Sequence, residues 1–201
     1  YRDLSTAPVT EYQAQDFELL LQSVRLGQTP SIHLKATALP YNLPVTLNGG
    51  FGPLIETLEV QQYDFALGFG KIALAVKGAL VGGRLDATVS APAINTADLP
   101  VALPLQKPLV IKDLLVTAKA PYPFKQGASP LELAVISNLS LALIMGHSSV
   151  QVKGTVLNGQ ANVTVSSPSL STADLPVAVP LPKPVELKNL TVTAKTRVPF
   201  K

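Results

Sequence analysis

Residues 96–119 read TADLPVALPLQKPLVIKDLLVTAK, and residues 172–195 read TADLPVAVPLPKPVELKNLTVTAK. The offset is 172 − 96 = 76 residues, and at that offset 76–125 and 152–201 align without a gap, 28 of 50 positions being identical. Two such similar segments must adopt similar local structure. A period this long exceeds most solenoid repeats, so each copy is expected to be a supersecondary unit of several strands. The match fades upstream without ending. YDFALGFGK at 63–71 lies over LSLALIMGH at 139–147, and GPLIE at 52–56 lies over SPLEL at 129–133 with a slip of one. The chain therefore divides into a leader at 1–52, a first copy at 53–128 and a second at 129–201. LPYNLP in the leader is similar to APYPFK at 120–125, which suggests the tail of a decayed third copy.

Strands fit such units better than helices do. Eighteen prolines and thirteen glycines punctuate the 201 residues, a spacing that breaks long helices and bounds short strands. The clearest element is SVQVKGTVLNGQANVTVSS, where an Asn-Gly pair is flanked by alternating residues. A turn on Asn158 and Gly159 pairs Leu157 with Gln160, Val156 with Ala161, Gly154 with Val163 and Val152 with Val165. Cross-strand partners share a face, so this register gathers the valines on one side and leaves Lys153, Thr155, Asn162 and Thr164 on the other. The first copy gives the same register independently. A turn at Gly82-Gly83 pairs Leu80 with Leu85, Gly78 with Ala87 and Val76 with Val89.

The duplicated segment itself ends in a third half-buried strand. Leu114, Val116 and Ala118 alternate with Leu115, Thr117 and Lys119, as Leu190, Val192 and Ala194 do with Thr191, Thr193 and Lys195. The apolar parity shifts between Leu187 and Leu190, which predicts a bulge at Lys188-Asn189. Pro176, Pro180, Pro182 and Pro184 cannot feed a sheet ladder, so the preceding stretch is expected to be an extended connection. ADLP reads as a helix cap or turn as readily as it does as part of that connection. In the leader, Phe17, Leu20, Leu21 and Val24 fit both a helix and a strand. The turn signal at 27–30, followed by SIHLKATA with Ile32 and Leu34 on one face, favours a hairpin.

Little in the sequence points to chemistry. The absence of cysteine removes disulfides, thiol catalysis and Cys-ligated zinc. His33 and His147 have no partner at metal-ligand spacing. Asp98 and Asp174 stand alone beside a threonine, which suits capping or a turn better than general acid–base work. GGFG at 49–52 lacks the Lys-Ser/Thr of a phosphate loop. The expectation is a non-enzyme without metal or cofactor. A net charge of +3, scattered along the chain, is too small for a nucleic-acid footprint. No stretch reaches the roughly 18 apolar residues of a membrane-spanning helix. An opening Tyr with no signal-peptide pattern reads as a mature chain or an excised piece. The repeated Lys107/Lys183 and Lys119/Lys195 read as edge guards more readily than as contacts for acidic groups.

Hydrophobic residues make up 47% of the chain and charged residues only 14%, against about a quarter in ordinary domains. Laid along one face of a repeated sheet, the Val, Leu and Ala side chains form a long apolar strip. Either two such faces close as a β-sandwich, or a curved sheet keeps its inner face open as a groove.

Strands ending in VKG, followed by SAPAINTADLP or SSPSLSTADLP and then PVELKNLTVTAK, resemble the AsmA family of bacterial envelope proteins, which is related to the TamB group. The likeness covers both copies and extends to the leader, hence most of the chain. It implies an all-β, elongated, curved antiparallel sheet of tandem repeats with an apolar inner face. It further implies a periplasmic body, a parent protein anchored in the inner membrane, and a role in outer-membrane biogenesis and phospholipid transport. This chain departs from the family in showing no anchor. Phospholipid acyl chains are the implied partners, other envelope proteins being the alternative. The predicted groove residues are Val76, Leu80, Leu85, Ala87 and Val89 in the first copy, and Val152, Val156, Ala161, Val163 and Val165 in the second.

Overall fold

The computed structural model describes residues 2–3, 10–11, 13–39, 41–54, 60–100, 103–122 and 134–197. Two short strands, β1 (Arg2–Asp3) and β2 (Thr10–Glu11), pair with each other. All other strands belong to a single eleven-stranded antiparallel sheet. They are β3 (Gln13–Gln22), β4 (Ser31–Leu39), β5 (Leu43–Leu54), β6 (Val60–Phe69), β7 (Ile72–Val81) and β8 (Arg84–Asn95). After a 3-10 turn at Thr96–Asp98 come β9 (Val110–Pro121), β10 (Val135–Met145), β11 (Ser148–Leu157), β12 (Gln160–Ser171) and β13 (Glu186–Arg197). The order across the sheet is the order along the chain, so each strand pairs only with its sequence neighbours. The sheet is open and curved. The sandwich alternative is not adopted: among the described residues no second sheet packs on it.

The repeat is visible in the element bounds. Adding 76 to 72–81, 84–95 and 110–121 returns 148–157, 160–171 and 186–197, which are β11, β12 and β13. Each unit is thus four strands, β6–β9 and β10–β13. Both hairpins have the expected register, with Val76 opposite Val89 and Leu80 opposite Leu85 in one. In the other, Val152 lies opposite Val165, and Val156 opposite Ala161. Asn158 and Gly159 both have positive φ, as do Gly82 and Gly83, the backbone that two-residue hairpin turns require. The leader forms the β3–β4 hairpin; a helix there would have left β4 without its outer partner.

Two expectations need correction. The β12–β13 register runs from Gln160↔Arg197 to Ser171↔Glu186 without a shift, so Lys188-Asn189 is not a bulge against β12. The change of parity comes instead from Asn189, whose φ is 51°, and from Asp113, its counterpart in the first copy, also at 51°. Asn and Asp tolerate this left-handed backbone better than other side chains. Both lie opposite prolines, Pro168 and Pro92, which have no N–H to lose from the ladder. In β9 the same residue does produce a register shift, but toward β10, where Ser140↔Leu115 is followed by Ala142↔Lys112. The second correction concerns the leader. Leu39 and Leu43 flank the β4–β5 turn at the end of the sheet that carries the β8–β9 connection, whereas Ala120 and Pro121 close β9 at the opposite end, Pro40 and residues 123–125 lying outside the described residues. The two do not occupy equivalent places.

The proline-rich connections are extended loops at one end of the sheet, and the repeated TAD ties them down. Thr96 donates from its backbone N and its Oγ1 to the Leu109 carbonyl, and Leu109 N donates back to Oγ1. Thr172 and Val185 repeat the exchange between N–H and carbonyl, and between N–H and Oγ1. Asp98 reaches Lys71 at 3.4 Å in the β6–β7 turn. Asp174 accepts from His147 N and Ser148 Oγ in the β10–β11 turn, at 3.2 and 2.8 Å. Each aspartate therefore clasps the preceding hairpin turn of its own copy. Between copies, Gln106 N donates to the Pro176 carbonyl and Lys107 Nζ to the Ala173 carbonyl. The duplicated segment is a staple.

Candidate functional site

One face of the sheet is apolar from edge to edge. Along a single rung, Leu21 faces Ile32, then come Gly49, Phe65, Val76 and Val89. Val116, Leu139, Gly154, Val163 and Ala194 continue it to the far edge. No polar side chain interrupts these eleven positions. Alternate positions on each strand point the other way, and there Lys153, Thr164 and Thr193 stand side by side. At about 4.8 Å between strands, ten spacings give a track of about 48 Å.

No described element seals this face. The chain exposes 13304 Å², whereas a compact monomer of its 21.1 kDa would expose about 9,000 Å². Among the described residues the buried apolar ones are mostly small: Ala36, Ala91, Ala142 and Ala161, with Pro30, Ile72, Met145 and Val150. A single layer rarely encloses a large side chain from both sides, so most of the big aliphatics stay half-covered or exposed. All ten predicted groove residues lie on the apolar face; Ala161 is buried and the other nine are half-buried. The first copy's set joins the second's through Val116 and Leu139, and through Ala118 and Ile136. At the outer edges Leu21 is 49% exposed and Val192 50%.

An aromatic cluster on β5 and β6, toward the β3 edge of the track, did not emerge from the repeat. Tyr63 and Phe65 stack at 5.9 Å between ring centres, and Phe51 lies 6.4 Å from Phe65. Their rings cover glycines on the neighbouring strands. A Cβ on Gly49 would collide with Phe65, and one on Gly78 with Tyr63. The bare glycine lets Tyr63 lie across β7 and donate its hydroxyl to the Asp86 carbonyl at 2.7 Å. In the second copy Leu139 occupies the place of Tyr63 beside Gly154. The signal was the pairing of a strand glycine with a large neighbour, which is readable only once β6 is placed beside β7.

Burial, and then the charge of Asp86, raises the Tyr63 pKa above its ordinary 10.0. The folded state favours the neutral phenol. Its contribution is therefore whole below the ordinary value and is lost as pH rises through the raised one. Tyr63→Phe is expected to flatten the alkaline fall of stability in urea denaturation across that range. A curve unchanged from wild type would mean that the phenol titrates as freely as in the unfolded chain.

The residues considered for chemistry do not converge. Nδ1 of His33 bonds the Asn48 side chain, and His147 sits in a turn at the connector end. Among the described residues no three His, Cys, Asp or Glu are placed to hold a metal, and no helix is long and apolar enough to cross a membrane. Lys119 lies on an interior strand and pairs with Asp86 at 3.1 Å, so it guards no edge. Lys195 is on the edge strand β13.

The fold thus defines an open, single-layered sheet of duplicated four-strand units. Comparison with protein-family models, curated proteins and solved structures returned no match.

Proposed function

We propose that this chain is a non-enzymatic, AsmA-like periplasmic segment that carries phospholipids in outer-membrane biogenesis, holding acyl chains on its apolar face. In this reading the parent protein is anchored in the inner membrane. The supporting observation is the uninterrupted apolar rung from Leu21 to Ala194, uncovered by any second layer among the described residues. Large exposed apolar surfaces are uncommon on proteins that make no use of them. Covering about 300 Å² of acyl chain at about 25 cal/mol per Å² contributes roughly 7 kcal/mol before the entropic costs of association. A bilayer leaflet is about 15 Å of hydrocarbon, so a 48 Å track has room for several tails in succession.

Native mass spectrometry of the protein purified from bacterial cells tests this. Wild type is expected to carry phospholipid. A Val76→Thr/Val89→Thr/Val163→Thr variant keeps the β-branched shape but adds hydroxyls, and is expected to lose it with an unchanged circular dichroism spectrum. Lipid-free wild type, or equal lipid on both proteins, would remove the transport reading in favour of a structural or protein-binding envelope module.

A further inference from the structure

The opposite, polar face differs between the two copies in charge. In the first copy Lys77 pairs with Asp64 at 2.8 Å and Lys119 with Asp86 at 3.1 Å. Moving each position by 76 keeps both lysines, as Lys153 and Lys195, but replaces the aspartates by Ser140 and Asn162. Pro121 becomes Arg197 by the same step. The register is retained: Lys153 faces Ser140 and Thr164, Lys195 faces Asn162, and Arg197 faces Gln160. Among the described residues none of these three cations has a carboxylate partner. The second copy thus shares two cations with the first without their counter-charges, and carries a third, Arg197, of its own.

They border two adjoining open depressions. One, of about 760 Å³, is lined by Thr155, Asn158, Gln160, Asn162, Lys195 and Arg197. The other, of about 260 Å³, includes Lys153 and shares Thr155 and Asn162 with the first. Leu157 and Ala161 also line the larger one, and neither depression holds a carboxylate.

We propose that this polar face of the second copy docks on an anionic phospholipid bilayer, with headgroup phosphates held by Lys153, Lys195 and Arg197. Ammonium, guanidinium and side-chain amide groups all donate to phosphate oxygens, Arg in bidentate fashion. A protein partner would need a desolvated aromatic or aliphatic centre. Here hydroxyls and amides surround the cations, and the apolar side chains that line the larger depression are Leu157, at the hairpin tip, and the small Ala161. The inference stands apart from acyl-chain carriage, since it uses the other face.

Co-sedimentation with vesicles tests it. Wild type is expected to bind phosphatidylcholine vesicles that contain phosphatidylglycerol, and to release them in high salt. Ser140→Asp/Asn162→Asp installs the first copy's two carboxylates, at positions whose counterparts carry them in the folded chain. Neutralising two cations is expected to weaken binding about thirtyfold. Should that variant melt early, Lys195→Ala/Arg197→Ala is expected to give a similar loss on a folded chain. Equal binding by wild type and both variants would overturn the proposal. So would indifference to phosphatidylglycerol, or retention by an acidic polypeptide or nucleic acid in place of vesicles. Lipid co-purified on the apolar face is expected to be the same in wild type and both variants, so failure here and failure of acyl-chain carriage are told apart.

Discussion

Val89→Asp is expected to destabilise the protein by about 2–4 kcal/mol, the range for placing an unpaired charge among apolar neighbours. Val89 lies between Val76 and Val116 at the centre of the track, with no donor on either side. Val163→Asp is expected to cost less, because its neighbours are Gly154 and the exposed Ala194. Thr164→Asp, one residue along on the other face, is expected to stay within about 0.5 kcal/mol, since Lys153 stands opposite. Urea denaturation of the three variants checks the ranking. Equal losses at 163 and 164 would overturn the division of the sheet into two faces.

The second large effect separates two residues that the repeat makes equivalent. At Gly78 an added Cβ would run into the Asp86 carbonyl and the Tyr63 ring, and backbone cannot retreat as a flexible side-chain end can. Gly78→Ala is therefore expected to cost about 1–3 kcal/mol, as overpacking does. At Gly154 the nearest atoms are 3.2 Å or more away, belonging to Asn162, Val163 and Leu139. The entropy regained by removing a strand glycine, about 0.5–1 kcal/mol, offsets that contact, so Gly154→Ala is expected to be close to neutral. Thermal melts decide the matter, and equal shifts would mean that Tyr63 does not lie over Gly78.

Hairpin register was legible because the duplicated copies tested it twice, and because a one-residue slip would have sent Val152, Val163 and Val165 into water. The staple was legible only as a pattern. That Thr96, Asp98 and Lys107 act on three different partners depends on turns up to 66 residues away. Asn189 was misread since a left-handed residue opposite a proline and a bulge produce the same change of parity. The absence of counterparts to Asp64 and Asp86 in the second copy stood in the alignment all along. It acquired meaning once the sheet placed each beside the lysine that it neutralises. For the apolar face, alternation revealed which residues share a side, while whether a second layer covers them depended on long-range topology.

Because strand order equals chain order, growth of this molecule is arithmetic. A duplicated block of four strands adds an even number, so the new terminal strand points the same way as the old and presents the same side chains to each face. Gene duplication could lengthen the track by about 19 Å at a time, with no core to redesign and no edge to rebuild. The new joint is one strand pair and a pair of contacts between connections like those of Gln106 and Lys107. Such a chain can be selected for length alone, as a ruler is cut to the gap that it must span.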